Sequence, residues 1–322
     1  MKRFLVLLLF PASLFAQDVK PIRHIDFESH KEPGLAVGKI SVSPKGHLLL
    51  ATFDDFISRS VYELVDLADG KTISKGKLRG IPQAISWSED EQYAAIEFDK
   101  GKPGCFNAKA GMKEVFTCSA NGEIAFSRNK NPAVKAESLL YVFGEDFINV
   151  YQTNGRLKDS VSREDEFKTY NFAWFDLISN RYDLLDEMEG EVATFNTKGQ
   201  PGPVIKLKDA SSLICSVDNT GNKILALGRS KLKVFNAANG DQVMRYEYPA
   251  IASACFTPDS RSVLIADKDQ FMLIGLDGKL ISSVRSNEYY STLAYSASGT
   301  ELVAIHVAGA DIFSCKNYFP VK

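Results

Sequence analysis

The sequence predicts an all-β protein, a seven-bladed β-propeller of four-stranded antiparallel blades whose ring is closed by an N-terminal strand. Two observations predict it. Glycine-containing turns recur with a period of about 40 residues, and alternating apolar and polar residues flank them as in β-strands. Four-stranded units of about 40 to 45 residues are typical of propeller blades, which bury their two apolar faces against one another.

The clearest turn lies within Lys231–Val243, which reads KLKVFNAANGDQV. Asn239-Gly240 between two alternating runs is a strong hairpin signal, because glycine accepts positive φ without a Cβ clash. The same spacing gives turns at Gly70, Gly111, Gly155, Gly199, Gly240 and Gly278, and continues to Asn317 as a seventh mark.

A second turn lies upstream in each unit and separates two short apolar strands. Most of these tetrads are rich in residues that favour turns, but 177–180 contains no glycine or proline. They are 43–46, 88–91, 130–133, 177–180, 218–221, 257–260 and 296–299. Each unit therefore reads as four short strands.

The units predict one propeller domain over residues 17–322. Pro21–Phe27 alternates like a strand, whereas Tyr318–Val321 is short for an outer strand. We therefore expect the N-terminal strand to join the sheet of the last blade. An open β-solenoid is the alternative, but its repeats are generally shorter. The predicted blades are 38–80, 81–120, 121–163, 164–208, 209–249, 250–286 and 287–322.

Residues 1–16 read as a secretory signal peptide. Lys2 and Arg3 form a positive region, Phe4–Phe10 is apolar, and cleavage is predicted between Ala16 and Gln17. The apolar stretch is far shorter than the roughly 20 residues that span a bilayer. We expect a periplasmic or secreted protein with no transmembrane segment in the mature chain.

Composition limits the classes of partner and cofactor. The chain has 322 residues, a formal net charge of −2 and 45% hydrophobic residues, which suits a large core and argues against a nucleic-acid partner. The cysteines show no CxxC spacing, so no metal or haem is expected. We expect buried thiols, with Cys105–Cys118 and Cys215–Cys255 bridges as alternatives. The cysteines are Cys105, Cys118, Cys215, Cys255 and Cys315.

Three segments carry a family resemblance. Ser43–Gly46 and Thr257–Asp259 are S-P-D-G-like turns, and Val234–Gly240 follows a V-[WYF]-[DN]-x-x-x-G hairpin pattern. The chain thus resembles the WD40-like propeller repeats of the bacterial YVTN and TolB type over about residues 36–322. The resemblance implies the fold and leaves the function open. The chain departs from the WD40 pattern in lacking a Trp-Asp dipeptide.

No catalytic motif is present. The chain contains no HExxH, GxSxG, P-loop or EF-hand loop. The histidines are scattered over different positions of the repeats, and His306 is expected to be a structural residue in a strand of the last blade. They are His24, His30, His47 and His306.

Acidic and aromatic residues collect in the loops of one predicted face. We call it the upper face. It carries the loops that join second to third strands and each blade to the next, and the lower face carries the short turns. Aromatic residues supply contact area, and acids favour basic or polar partners, although polar loops are also simply solvated. The predicted binding residues are Asp54, Asp55, Phe56, Arg59, Asp146, Glu164, Asp165, Tyr170, Glu187, Glu189, Tyr289 and Tyr290.

The fourth unit, from Arg163 to Glu191, is the least regular and is the preferred place for a binding patch, because insertions are tolerated in loops. Trp174 and Phe175 in its first strand are expected to belong to the core.

Two functions are compatible with these features. The first is an exported, non-enzymatic scaffold that binds an unknown protein or cell-envelope ligand without a cofactor. The alternative is a propeller enzyme, a lactonase or a carbohydrate-active hydrolase or lyase, with channel carboxylates such as Asp54, Asp146 and Asp267. Convergence of several acids or histidines at the channel mouth would favour the enzyme.

Overall fold

The structure, a computed structural model, is an all-β propeller of seven four-stranded antiparallel sheets, which confirms the predicted fold class. It describes residues 18–128, 137–162, 172–176, 179–186, 190–198, 200–207, 213–228, 230–296 and 298–319. Within these ranges, no helix combines the length and apolar character needed to cross a bilayer.

The strands follow one another blade by blade, and the first strand of each blade lies next to the central channel. Their bounds are β1 Arg23–Asp26; blade 1, β2 Ala36–Val42, β3 Leu48–Asp54, β4 Ser60–Asp66, β5 Thr72–Leu78; blade 2, β6 Pro82–Trp87, β7 Tyr93–Phe98, β8 Gly104–Asn107, β9 Lys113–Thr117; blade 3, β10 Glu123–Phe126, β11 Leu139–Phe143, β12 Phe147–Gln152, β13 Leu157–Ser162; blade 4, β14 Phe172–Asp176, β15 Arg181–Asp186, β16 Glu191–Asn196, β17 Ile205–Lys206; blade 5, β18 Leu213–Val217, β19 Lys223–Gly228, β20 Lys231–Asn236, β21 Gln242–Glu247; blade 6, β22 Ser253–Phe256, β23 Ser262–Ala266, β24 Gln270–Gly275, β25 Leu280–Arg285; and blade 7, β26 Thr292–Tyr295, β27 Glu301–His306, β28 Gly309–Ser314.

The ring closes through β1, as predicted. This strand pairs antiparallel with β28, from Arg23 opposite Ile312 to Asp26 opposite Gly309, and so supplies the outermost strand of blade 7. The prediction of a seventh hairpin turn at Asn317 is wrong. Asn317 lies in the short helix α1, Cys315–Tyr318, because β1 already occupies the position that a hairpin partner of β28 would take.

The core is divided among the blade interfaces. Among the described residues, seven buried apolar clusters each join two neighbouring blades. Between blades 7 and 1, for example, Phe27 and Ile312 pack in one cluster with Leu49. Trp174 and Phe175 are buried in two such clusters, which confirms their expected place in the core. Every sheet is thus held by both of its neighbours.

The described cysteines behave as small buried residues. Cys105, Cys118 and Cys315 are buried free thiols, so the alternative Cys105–Cys118 bridge is wrong. Cys255 is buried as well. Its pairing with Cys215 remains open, because the side chain of Cys215 lies outside the described residues.

The tetrads of the lower face form turns in the described part of the chain, as predicted. Wherever the last residue of a tetrad is described, it adopts a positive φ, which residues other than glycine rarely do. These residues are Gly46 (75°), Glu91 (59°), Asn180 (55°), Gly221 (76°), Ser260 (56°) and Gly299 (68°). Residues 130–133 and Gly199 lie outside the described residues.

The hairpin at Gly240 requires glycine for two reasons. Its φ is 72°, and an added Cβ would lie 2.0 Å from the carbonyl oxygen of Lys206 in blade 4. Gly278 has a similar φ of 78°, but a Cβ there would lie 3.8 Å from the nearest atom, the carbonyl oxygen of Arg245. Both positions thus carry the strain of a positive φ, but only at Gly240 would a Cβ also collide with the backbone of the neighbouring blade.

Gly240→Ala should destabilise the protein more than Gly278→Ala. Both variants carry the strain of positive φ, about 1–3 kcal/mol, but only Gly240→Ala forces blades 4 and 5 apart. Urea unfolding measures both free energies. Equal losses would contradict the assigned contact.

Deletion of residues 17–35 should lower the melting temperature strongly or abolish cooperative unfolding. The deletion removes β1 and takes Ile25 and Phe27 out of the cluster between blades 7 and 1. Thermal unfolding followed by circular dichroism measures the effect, and an unchanged melting temperature would show that ring closure does not depend on β1.

Candidate functional site

The upper face carries some of the exposed apolar side chains, and the blade edges carry the others. Of the large apolar residues exposed in the described part of the chain, those outside the blade edges lie in or beside upper-face loops: Phe56, Ile57, Phe147, Tyr289 and Val307. The others lie in or directly beside outermost strands: Ile22, Ile73, Val115, Leu157, Val204, Val243, Leu280 and Ile281.

One upper-face loop, residues 55–59, is organised mainly by the carboxylate of Asp55. We call it the Asp55 loop. Oδ1 of Asp55 accepts hydrogen bonds from the backbone amides of Ile57, Ser58 and Arg59 at 2.9, 2.8 and 2.9 Å. These bonds lower the pKa of Asp55 to about 2, so the carboxylate is charged and keeps the loop ordered at neutral pH.

The Asp55 loop presents two apolar side chains to solvent. Phe56 is 72% exposed and Ile57 is 76% exposed. Phe56 also has a φ of 60°, an uncommon conformation for a bulky residue, at a strain of about 1–3 kcal/mol. An exposed ring contributes little to folding, so packing of the Phe56 ring does not offset this strain. Such outliers concentrate at functional sites.

Two neighbours fix the base of this loop. Asp54 is buried and accepts the amide hydrogen bond of Phe56 at 3.1 Å. Burial raises the pKa of Asp54. Arg59 forms an ion pair with Glu32, which lies in the segment between β1 and β2. The loop is therefore tied to the segment that follows the closing strand.

A second upper-face feature is a pocket of about 340 Å³ between blades 2 and 3. Glu145, Asp146 and Phe147 line one side, and Lys102 with residues 119–121 lines the other. The predicted binding residue Asp146 is thus placed beside an exposed aromatic ring in a concave part of the surface.

The two predicted tyrosines differ in accessibility. Tyr289 is exposed, but Tyr290 is 2% exposed and packs on Phe271 with ring centroids 5.2 Å apart. The Tyr290 hydroxyl donates to Oδ2 of Asp311 at 2.5 Å. Tyr290 therefore supports the surface from beneath and offers no contact area itself.

The predicted binding residues fall into three groups. Asp54, Asp55, Phe56 and Arg59 come together around one loop of blade 1. Asp146 lies in blade 3, and Tyr289 with Tyr290 lies in the connection to blade 7. The remaining predicted residues, including the core of the fourth-blade patch, lie outside the described residues: Glu164, Asp165, Tyr170, Glu187 and Glu189.

The central channel contains a carboxylate that the sequence analysis missed. A cavity of about 180 Å³ is lined by Glu97 and Glu123, together with Ser86 and Arg128. Burial raises the pKa of Glu97, the nearby Glu123 carboxylate adds to this shift, and Lys39 opposes it, so that the pKa lies at about 8. Glu97 lies inside an apolar strand, β7, whereas the predicted acids lie at strand ends and in loops, so loop composition does not point to it.

A cluster of two histidines and one aspartate lies where the closing strand β1 meets blade 7. We call His24, His306 and Asp311 the latch cluster. Nδ1 of His24 lies 2.6 Å from Oδ1 of Asp311. The imidazole rings of His24 and His306 are stacked, with their centroids 5.4 Å apart and an angle of 16° between their planes. One ligand atom of each residue lies within 4.8 Å of the other two. These residues could hold a metal ion.

The environment shifts the pKa values of His24 and His306 in opposite directions. The hydrogen bond with Asp311 raises the pKa of His24. Burial lowers the pKa of His306. His306 does lie in a strand, β27, as expected, but no sequence signal placed it beside His24, because that contact depends on the register of β1 against β28.

Comparison with known proteins gives the fold. No protein-family model and no curated protein matches the sequence. The chain is similar to the crystal structure of the RRP9 WD40 repeats, with a TM-score of 0.67 and 12% identity over 93% of this chain and 98% of that one. It is also similar to the C-terminal WD40 domain of Sif2, with a TM-score of 0.60 and 11% identity over 93% and 99%. These likenesses establish a WD40-type propeller fold.

Glu97 should make stability depend on pH. Its folded-state pKa lies above the unfolded value of 4.5, so the folded protein holds the proton more tightly and loses stability as the pH rises from 4.5 to about 8. Glu97→Gln should remove this loss. The variant should match the wild type at about pH 4 and exceed it at about pH 9 in thermal unfolding. A wild-type advantage at the higher pH would contradict the assigned environment.

Proposed function

We propose that this protein is an exported, non-enzymatic scaffold that binds a protein partner of the cell envelope through its upper face. The observation that carries the proposal is the Asp55 loop, which holds Phe56 and Ile57 exposed on a strained, hydrogen-bonded backbone.

The physics of association supports this use of the loop. Exposed aromatic and aliphatic side chains gain free energy when a partner covers them, and a few such residues dominate the affinity of most interfaces. The three amide bonds to Asp55 order the loop before binding, which reduces the entropy lost on association.

The chemistry of the partner follows from the surrounding charges. The pocket between blades 2 and 3 places Glu145 and Asp146 next to Phe147. A polypeptide segment with apolar and basic side chains fits this combination, because the acids attract the bases and the ring accepts apolar contact.

Export and family type are part of the same proposal. Its support is the positive, apolar and small-residue pattern of residues 1–16. The chain contacts the propeller soon after the predicted cleavage site, since the Val19 amide donates to the Arg285 carbonyl at 2.9 Å. The S-P-D-G-like turns support the bacterial YVTN and TolB type of repeat.

The alternative, a hydrolase or lyase, receives less support from its candidate carboxylates. Asp54, Asp146 and Asp267 belong to blades 1, 3 and 6. Asp54 and Asp267 are buried, and each accepts a hydrogen bond from a nearby loop amide. That arrangement gives Asp54 and Asp267 a role in organising loops.

The test compares two pairs of exposed apolar residues. Phe56→Ala with Ile57→Ala removes the pair on the Asp55 loop. Leu280→Ala with Ile281→Ala removes a second exposed pair, 54% and 56% exposed, on the outer strand β25. Partners would be captured from envelope extract and identified by quantitative mass spectrometry, and the affinity of the recovered protein would then be measured.

The first double variant should lose the partner, with an affinity at least about tenfold weaker, because interface anchors contribute more than about 1 kcal/mol each. The second should bind like the wild type. Equal binding by both variants, or recovery of no partner by the wild type, would overturn the proposal.

A further inference from the structure

The latch cluster is assembled from three adjacent strands. His24 lies on the closing strand β1 and is paired with Asp311 of β28, while His306 ends β27. His24 and Asp311 are 287 residues apart in sequence. The cluster therefore exists only when the ring is closed.

One nitrogen of this cluster has an unusual environment. His306 is 7% exposed, and its Nε2 is buried without a hydrogen-bond partner among the described residues. Buried polar atoms are nearly always paired, because an unpaired one costs about 1–3 kcal/mol. Its Nδ1 accepts only a long hydrogen bond, 3.3 Å, from the Ala308 amide. An additional group bound at Nε2 would remove this deficit.

The three ligand atoms define the chemistry of that group. Two imidazole nitrogens and one carboxylate oxygen are a known ligand set for Zn²⁺, which leaves a fourth position for water. Imidazole ligands favour Zn²⁺ and similar transition ions over Mg²⁺ and Ca²⁺, which prefer oxygen.

The surrounding residues orient the ligands as metal sites require. The Tyr290 hydroxyl donates to Oδ2 of Asp311 and leaves Oδ1 directed at His24. Nε2 of His24 lies 3.1 Å from Oδ1 of Asp26, so Nδ1 is the nitrogen available inside the cluster. Carboxylates behind ligating histidines hold the ring and raise its basicity.

We propose that His24, His306 and Asp311 bind one divalent transition-metal ion of the Zn²⁺ type, which clamps the closing strand to blade 7. The ion replaces the proton shared by His24 Nδ1 and Asp311 Oδ1, and that proton passes to solvent. Coordination through Nε2 puts the His306 proton on Nδ1, so the long bond from Ala308 is given up. The site is separate from the Asp55 loop of blade 1, and its presence does not depend on the proposed partner.

Metal binding should be visible as a gain in stability. An ion that binds only the closed ring stabilises it by mass action. In EDTA-treated protein, Zn²⁺ at 100 times its dissociation constant should raise the melting temperature by about 4 °C. Mg²⁺ should have no effect. Isothermal titration calorimetry should give one Zn²⁺ per chain.

His306→Gln and Asp311→Asn should each abolish the Zn²⁺-dependent rise. The matched control is His47→Gln on the lower face. Nδ1 of His47 also lies 2.6 Å from a carboxylate, Glu91, but this pair is not part of the latch cluster. This variant should respond to Zn²⁺ like the wild type.

His24→Gln keeps the test decisive if the buried variants fail to fold, because the His24 side chain is half-exposed. Co²⁺ bound to the wild type should show the visible absorption of a tetrahedral site, and His24→Gln should lose it. No Zn²⁺ effect on the wild type, or binding that persists in the His24 and His306 variants, would overturn the proposal.

Discussion

Pairing of the closing strand β1 with β28 is the interaction on which the rest of the structure depends. Every buried cluster joins two blades, so an open ring would expose apolar faces of both blade 7 and blade 1. Successive side chains of β1 point to opposite sides of the strand, and each side makes its own contacts. Ile25, and Phe27 just beyond the strand, pack in the cluster shared with blade 1. His24 instead contacts Asp311, which also accepts the Tyr290 hydroxyl on the side that faces blade 6. The four-residue strand β1 thus supplies an apolar contact that closes the ring and one residue of the latch cluster, His24.

The two faces of the ring carry different kinds of strain. On the lower face, positive φ values occur in short turns that let the chain reverse between strands. On the upper face, the positive φ of Phe56 holds an apolar ring in solvent. Strand pairing offsets the first kind of strain. In the Asp55 loop, the pairing of Asp54 with Ser60 and the amide hydrogen bonds to Asp55 offset the strain but leave the ring of Phe56 uncovered. This difference is why we assign binding to the upper face and structure to the hairpin at Gly240.

Much of the fold could be predicted because its signals are local. The turn at Gly240 and the tetrads repeat at a fixed spacing, and the alternation of residues 21–27 identified the closing strand. The prediction of a hairpin turn at Asn317 was wrong because the spacing of the turns does not show that β1, from the other end of the chain, completes the last blade. Asp54 and Tyr290 were predicted as surface residues, but loop composition does not reveal which side chains turn inward. The latch cluster could not be predicted, because residues 24, 306 and 311 meet only through strand register.

The central claim is that the Asp55 loop is a contact surface in the cell. A photo-crosslinking amino acid at position 56, compared with one at position 280 on the outer strand β25, tests it most directly. We expect irradiation of living cells to give a discrete protein adduct from position 56 and none from position 280. Adducts from position 280 alone, or from neither position, would contradict the claim.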